Sequence, residues 1–301
     1  MTTSSLPNVS STPPAPPPLS SPSAPQAARP VTRSRPVGGA VPLQHGGVKF
    51  GPIPQGAGHR VVIYGPGGVG KTTLACMAPG PVAVFDLEDS LPVLRSQLPE
   101  EFQGRLNRVG SVFDWQTMRD MLHMPGWDEI KTIVIDSATR AEEWAVEHTL
   151  ATVPHEKGQR VQRIEDYGFG KGYSHVYDTF LTLLGDLDHH TRAGRNVVLI
   201  CHDCTASVPN PDGEDWIRYE PRLQSPASGK SSIRLRVREW ADHVLFVGYD
   251  VAVKDGKGKG SGARTIYPNE LPHCMAKSRS LSETIVLNKH GVALWEKLAE
   301  S

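Results

Sequence analysis

Gly65-Pro66-Gly67-Gly68-Val69-Gly70-Lys71-Thr72-Thr73 lies between an apolar run, Arg60-Val61-Val62-Ile63-Tyr64, and a run able to open a helix, Thr73-Leu74-Ala75-Cys76-Met77. Residues 65–72 match the pattern G-x-x-x-x-G-K-[ST] in full, and strand, glycine loop, helix is the context in which that pattern holds phosphate. Gly65, Gly67, Gly68 and Gly70 open backbone angles closed to other residues. Successive amide N–H groups, with Pro66 and Val69 completing the loop, then turn inward around an anion. Lys71 reaches the β- and γ-phosphates and the Thr72 hydroxyl holds Mg²⁺. Residues 65–73 are therefore the expected binding segment for ATP and Mg²⁺. A simple glycine turn has no use for Lys-Thr after its last glycine.

Working outward, the chain has 301 residues and zero formal net charge, enough length for one large or two small domains with a full core. The charge is unevenly spread. No Asp or Glu precedes Asp86, while Arg29, Arg33, Arg35, Lys49, Arg60 and Lys71 do. Residues 1–45 hold 11 of the 26 prolines, with much Ser and Ala. Such a segment buries too little apolar surface to offset its ordering entropy and reads as a disordered tail, leaving 46–301 as the ATPase domain. The start has neither the charged end nor the apolar centre of a secretory signal, and no later stretch is long enough to span a bilayer. Four cysteines are too few for a disulfide framework and fit a reducing, cytoplasmic setting.

From about residue 58, short apolar runs alternate with helical patterns, the signature of a mainly parallel sheet flanked by helices. Expected strands are 61–64, 82–85, 108–112, 132–135 and 197–201. Tyr173, Val176, Phe180, Leu183, Leu184 and Leu187 recur at spacings of three and four, which predicts a helix over 173–187. Beyond 213 the pattern changes. Residues 243–253 and 282–287 read as antiparallel strands joined through a glycine- and lysine-rich turn at 255–262. Residues 233–238 alternate as a strand with a basic face would, yet Ile233, Val237 and Trp240 also fit a helix, which is the reading taken.

Thr132-Ile133-Val134-Ile135-Asp136 is an apolar strand tipped by a carboxylate, as a second Mg²⁺ contact beside Thr72 requires. Phe85-Asp86-Leu87-Glu88-Asp89 puts three carboxylates at another strand's C-terminal end, where ligands bind in open α/β sheets. Cys201 and Cys204 have a zinc-like spacing. His273-Cys274 supplies no spaced second pair, however, and Cys201 extends an apolar strand.

With these residues in view, the chain resembles the RecA-like P-loop ATPases, in particular phage-encoded members of the single-strand annealing recombinase group. The resemblance covers roughly residues 58–290. It implies that Glu88 activates the attacking water and that His202, ending Asn196-Val197-Val198-Leu199-Ile200-Cys201, senses the γ-phosphate where RecA itself has glutamine. It implies also that Lys277 and Arg279, in Ala276-Lys277-Ser278-Arg279, reach the γ-phosphate held by a neighbouring subunit of a homo-oligomer. Ile164-Glu165-Asp166-Tyr167-Gly168-Phe169-Gly170-Lys171-Gly172-Tyr173 looks like the loop entering a long helix in those phage proteins. The implied partner is single-stranded DNA, with single-strand binding or replication proteins as possible further partners, in the host cytoplasm.

Single strands call for basic grooves with aromatic faces. Lys157, Arg160, Arg163, Tyr167 and Phe169 in one loop, and Trp216, Arg218, Tyr219, Lys230 and Arg234 in a second, between 203 and 238, are the expected contacts. Two other readings stay open on sequence alone: a P-loop kinase of a nucleotide or small molecule, and a nucleotide-switched scaffold with little turnover. Lys71→Ala removes the cation that bridges the phosphates. It is expected to abolish ATP turnover while the fold survives, as measured by phosphate release together with circular dichroism.

Overall fold

The structure, a computed structural model, describes residues 44–45, 48–49, 56–227, 229–254, 257–287 and 291–300. The chain forms two compact units, residues 1–53 and residues 54–301. In the first, β1 (Gln44–His45) pairs antiparallel with β2 (Val48–Lys49). The rest of the expected tail, residues 1–43, lies outside the described residues.

The second unit is a nine-stranded sheet in a helical coat. In chain order it comprises β3 (Arg60–Tyr64), α1 (Lys71–Cys76), β4 (Val82–Asp86), α2 (Leu91–Arg95), α3 (Glu100–Gln103), β5 (Leu106–Arg108), α4 (Trp115–His123), β6 (Thr132–Asp136) and α5 (Ala138–Thr152). There follow a 3₁₀ turn (Ile164–Tyr167), α6 (Lys171–Arg192), β7 (Asn196–Cys201), β8 (Asp203–Val208), β9 (Trp216–Pro221), α7 (Ile233–Trp240), β10 (His243–Lys254), β11 (Lys257–Tyr267), β12 (Lys277–Ser278), β13 (Ile285–Leu287) and α8 (Val292–Ala299).

The sheet runs β13-β11-β10-β3-β7-β6-β4-β5, with β12 also on β10. The strands from β10 to β5 are parallel, and β11, β12 and β13 add antiparallel pairs at one side. This is the mainly parallel sheet flanked by helices, with antiparallel strands added toward the C-terminus, expected from the sequence. Strands buried on both faces read as unbroken apolar runs, because successive side chains enter opposite cores. Val62, Tyr64, Ile133, Ile135, Val197 and Leu199 pack toward α4, α5, α6 and α7. Val61, Ile63, Val134, Val198 and Ile200 pack toward α1, α2, α3 and α8. The α6 stripe includes Val176, Phe180, Leu183, Leu184 and Leu187, all buried.

Tyr64 closes the first strand and is fully buried. Its hydroxyl donates toward two carbonyls, Met275 O at 2.5 Å and Tyr219 O at 3.0 Å.

Three expectations need correction. The strand placed at 108–112 is β5, which ends at Arg108, since Ser111 takes a left-handed φ of 59° that breaks an extended run. The glycine- and lysine-rich turn at 255–262 is mostly strand. β11 starts at Lys257 and intervenes between β10 and β13. Backbone pairing with β10 holds it, a contribution that side-chain propensity does not report. Asp255 and Gly256 themselves lie outside the described residues. Third, the stretch 203–238 is ordered as the β8–β9 hairpin followed by α7. The helical reading of 233–238 is right. Ser232 caps it by accepting from Leu235 N, and Ile233, Val237 and Trp240 are its buried stripe.

Phe180→Ala would leave a cavity in the α5–α6 core and is expected to cost about 3–5 kcal/mol. Phe169→Ala, at a fully exposed position, should stay within about 0.5 kcal/mol. Urea unfolding of the two variants checks the contrast.

Candidate active site

Parallel register brings the site together. Tyr64 pairs with Cys201, Ile200 with Asp136, and Asp136 with Asp86, so the segments after β3, β7, β6 and β4 leave the sheet at one level. The glycine loop emerges first. Gly65 has φ 153° and a Cβ there would lie 2.1 Å from Val247 O; Gly70 has φ 96° and opens α1. A side chain at either position would clash or strain the backbone.

Lys71 is buried, and its ammonium donates to Gly65 O (2.8 Å) and Pro66 O (2.9 Å), the loop's own carbonyls. Burial lowers its pKa, while Asp203, Asp136 and Glu88 pull the other way. The Thr72 hydroxyl donates to Asp136 Oδ2 at 2.7 Å, and Ser90 Oγ approaches the same oxygen at 3.4 Å. A hydroxyl and one carboxylate, with phosphate oxygens and water completing the octahedron, form a donor set that suits Mg²⁺. Burial pushes the Asp136 carboxyl up to about 6, with the Glu88 and Asp86 charges adding to the rise. A buried carboxylate short of positive charge is what a divalent cation relieves.

Of the three carboxylates after β4, one faces the reacting end. Asp86 is turned into the fold, where it accepts from Ser90 N (2.9 Å) and Leu91 N (3.2 Å) at the start of α2 and pairs with Arg108 at 3.6 Å. Asp89 is exposed and also pairs with Arg108. Glu88 Oε1 accepts from Ser137 Oγ and from His202 Nε2, the latter at 2.9 Å. Burial is the largest influence on Glu88 and raises its pKa. The bonds from Ser137 and His202 and the charges of His202 and Lys71 together outweigh it, holding Glu88 below the usual range. Glu88 is thus ionised at neutral pH and able to take a proton from water. His202 is fixed in turn by its backbone N–H on Thr139 Oγ1 (3.1 Å).

Ser137 and Ser90 went unread in the sequence. Ser137 follows Asp136 directly and caps α5 by accepting from Arg140 N. A serine at that junction is a helix-start signal.

Lys277 and Arg279 stand elsewhere. β12 pairs with the first residues of β10, His243 and Val244, at the N-terminal ends of the parallel strands and across the sheet from the glycine loop. The Lys277 ammonium donates to Arg238 O (3.0 Å), Glu239 O (3.2 Å) and Ala241 O (2.7 Å). It thereby caps the end of α7, where a cation is favoured. Arg279 is mostly exposed and touches Asp242 at 3.2 Å. Neither enters its own chain's site.

Among the described residues no group of three or more His, Cys, Asp or Glu is placed to hold a metal ion. Cys201 is wholly buried in β7, and Cys204 Sγ faces Glu220 O at 3.6 Å.

A glycine-rich loop, a lysine, a hydroxyl–carboxylate pair and an ionised glutamate thus occupy one end of one sheet. The sequence matches the AAA domain model AAA_24 over residues 57–280. The chain belongs to this AAA domain family. Residues 65–72, 88 and 136 all lie within the matched span. No curated protein matches the sequence. Among solved structures, the chain is similar to the RadB recombinase, with 14% identity over 70% of this chain and 80% of that one and a TM-score of 0.39. A KaiC-like protein from the hyperthermophilic archaeon Pyrococcus horikoshii is similar with 16% identity over 78% and 88% and a TM-score of 0.40. No helix among the described residues is long and apolar enough to cross a membrane.

The Asp136 carboxyl sits at about 6 in the fold against an ordinary 3.8, so between those values the folded state binds more protons than the unfolded one. Stability is fully present below about pH 4, falls as pH rises, and has lost this share above about pH 6. Asp136→Asn is expected to stabilise the nucleotide-free protein at neutral pH by roughly 1–3 kcal/mol, to flatten that fall, and to abolish Mg²⁺-dependent nucleotide binding. Denaturant melts across pH, paired with Mg²⁺ titrations, check both halves.

Proposed function

We propose that the protein is a Mg²⁺-dependent ATPase that works as a homo-oligomer on single-stranded DNA, in recombination or replication of the phage type. The observation that carries the ATPase half is Glu88, ionised and held by Ser137 and His202 beside the Lys71 and Thr72–Asp136 groups. Thr72 and Asp136 would hold Mg²⁺, which would supply positive charge to offset that of the phosphates. Glu88 accepts the proton of the attacking water, Lys71 gives up its loop carbonyls for phosphate oxygens, and His202 reports the γ-phosphate through the hydrogen bond it makes to Glu88.

The DNA half is supported by the placement of the two basic segments. Gln224 Nε2 donates to Tyr173 O at 2.9 Å and the Ser174 and Ser231 hydroxyls meet at 2.9 Å, so the entrance of α6 and the segment after the hairpin are neighbours. Lys157, Arg160, Arg163, Phe169 and Lys230 are exposed there. Three expected contacts are spent internally. Arg218 and Arg234 both pair with Glu220, at 2.8 and 2.5 Å, and the buried Tyr167 donates to Val153 O at 2.7 Å. Trp216 and Tyr219, on β9, keep part of their rings in solvent.

Binding to single-stranded DNA should weaken with salt at a log–log slope of about −0.7 per phosphate neutralised, and reversing Arg160 and Arg163 together should flatten the slope. Turnover accelerated by DNA supports this reading. DNA-independent turnover of a small acceptor favours a kinase, and slow turnover indifferent to DNA a scaffold.

For the shared site, Arg279 is the cation able to reach a neighbour, and Lys277 fixes the segment that carries it. Glu88→Gln is expected to bind ATP and hydrolyse it ~10²- to 10⁴-fold more slowly. Arg279→Ala should be inactive with an unchanged melting temperature, whereas Lys277→Ala should lower that temperature by several degrees, at about 2–4 °C per kcal/mol. Mixing Glu88→Gln with Arg279→Ala should restore part of the activity, since some interfaces then pair an intact glutamate with an intact arginine. No recovery at any ratio in a confirmed assembly points to a self-contained site.

A further inference from the structure

The catalytic groups all lie on one side of the glycine loop. Glu88 and His202 follow β4 and β7 and Asp136 ends β6, and these strands lie on one flank of β3 in the order β7, β6, β4, while β10 and β11 form the other flank. In a loop of this pattern the lysine meets the β- and γ-phosphates and the backbone amides cradle the α- and β-phosphates. The γ end therefore points to β7 and β6, and the nucleoside leaves toward β10 and β11.

Two side chains wait on that flank. Tyr249 on β10 and Arg264 on β11 are direct cross-strand partners. They stand on the same sheet face as Val247 and Ile266, the buried pair one step below that packs toward α1. At their level the apolar pattern gives way to solvent, and the ladder shifts register immediately beyond, between Tyr249 and Val251, an irregularity that re-aims side chains. The Tyr249 hydroxyl donates to Gly68 O at 3.4 Å and its ring is nearly half exposed. Arg264 Nη1 donates to Val69 O at 3.1 Å, and a Cβ on Gly70 would lie 2.6 Å from that nitrogen. Gly70 thus makes room for a guanidinium lying against the loop. A guanidinium with five donors gives one to a neutral carbonyl here, a weaker partner than a phosphate oxygen.

We infer that Tyr249 and Arg264 form the nucleoside wall of the site: the base of a nucleoside di- or triphosphate packs on the Tyr249 ring, and Arg264 exchanges Val69 O for the α-phosphate. This rests on the nucleotide-binding reading of residues 65–72 and adds what that motif leaves open, the means by which the chain holds the half of the ligand without chemistry. Stacking on an aromatic face accepts any base, so this wall confers affinity for nucleotides over bare polyphosphate and little choice among bases.

The test compares Mg²⁺-supported binding of ATP, ADP and inorganic tripolyphosphate by calorimetry. Tyr249→Ala is expected to weaken ATP and ADP by about 5- to 150-fold, with tripolyphosphate and the melting temperature of the nucleotide-free protein unchanged. Tyr249→Phe should bind like the parent. Arg264→Ala should weaken ATP and tripolyphosphate together by about tenfold or more, again without loss of melting temperature, and Arg264→Lys should recover part of it. Parent-like ATP affinity in Tyr249→Ala, or equal losses for ATP and tripolyphosphate in that variant, overturns the base-packing role. A lowered melting temperature in Arg264→Ala with unaltered tripolyphosphate affinity makes the arginine a brace of the loop and overturns its phosphate role. If the parent protein binds none of the three, the reading of residues 65–72 falls and the inference with it. Binding by the parent with unaffected variants removes the inference alone.

Discussion

The common level at which four parallel strands end is the constraint on which the rest depends. Parallel pairing locks the termini of β3, β7, β6 and β4 in step, and each strand is buried on both faces, so none can slip without moving its whole apolar set into the wrong core. The glycine loop, Glu88, Asp136 with Ser137, and His202 come from positions spread over more than a hundred residues. They meet because they lie at those ends or within a few residues of them. Interposing β7 between β3 and β6 brings the end of β7 between the glycine loop and the carboxylates, and His202 bonds to Glu88 there.

The electrostatics at that end of the sheet are unbalanced. Asp136 is buried beside the Glu88 and Asp86 charges and its carboxyl is pushed up, while Lys71 is buried with its ammonium on the loop's own carbonyls and pushed down. Both groups are worse off than in water, and both improve when a polyphosphate and a divalent cation arrive together. Glu88 is treated differently. Hydrogen-bond donors and nearby positive charge keep it ionised, with its lone pairs free of a proton though its basicity is reduced. Within a few ångströms the fold thus separates a carboxylate suited to a metal from one suited to a proton.

How much of this is legible in the sequence follows from how local each signal is. The glycine loop, Asp136 and the apolar strands are contiguous patterns, and the structure has them where the residues put them. The α6 stripe is equally plain. What escapes is set by distant partners. β11 is written in glycine and lysine and exists because β10 lies beside it. Arg218 and Arg234 read as basic surface until Glu220 turns up between them. Lys277 reads as a free cation, and only the closeness of α7's last turn shows where its charge is used. Ser137 could have been found from its place at a strand-to-helix junction, though its bond to Glu88 could not.

Tyr64 has a consequence of its own. Its hydroxyl carries a single proton and faces two carbonyls, one at the foot of the β8–β9 hairpin and one on the stretch leading to β12. One proton cannot serve both fully. Tyr219 O also accepts from Met275 N at 2.9 Å, so the loss falls on Met275 O, in an interior where water does not replace the partner. The strand feeding the glycine loop therefore ends in a forked latch. A small sideways movement of the hairpin is felt by the β12 approach as a change in its share of one hydrogen atom, and the converse holds. Removing that atom, as phenylalanine would, takes its donor from Met275 O, while Met275 N on Tyr219 O and Tyr219 N on His273 O still tie the two segments together.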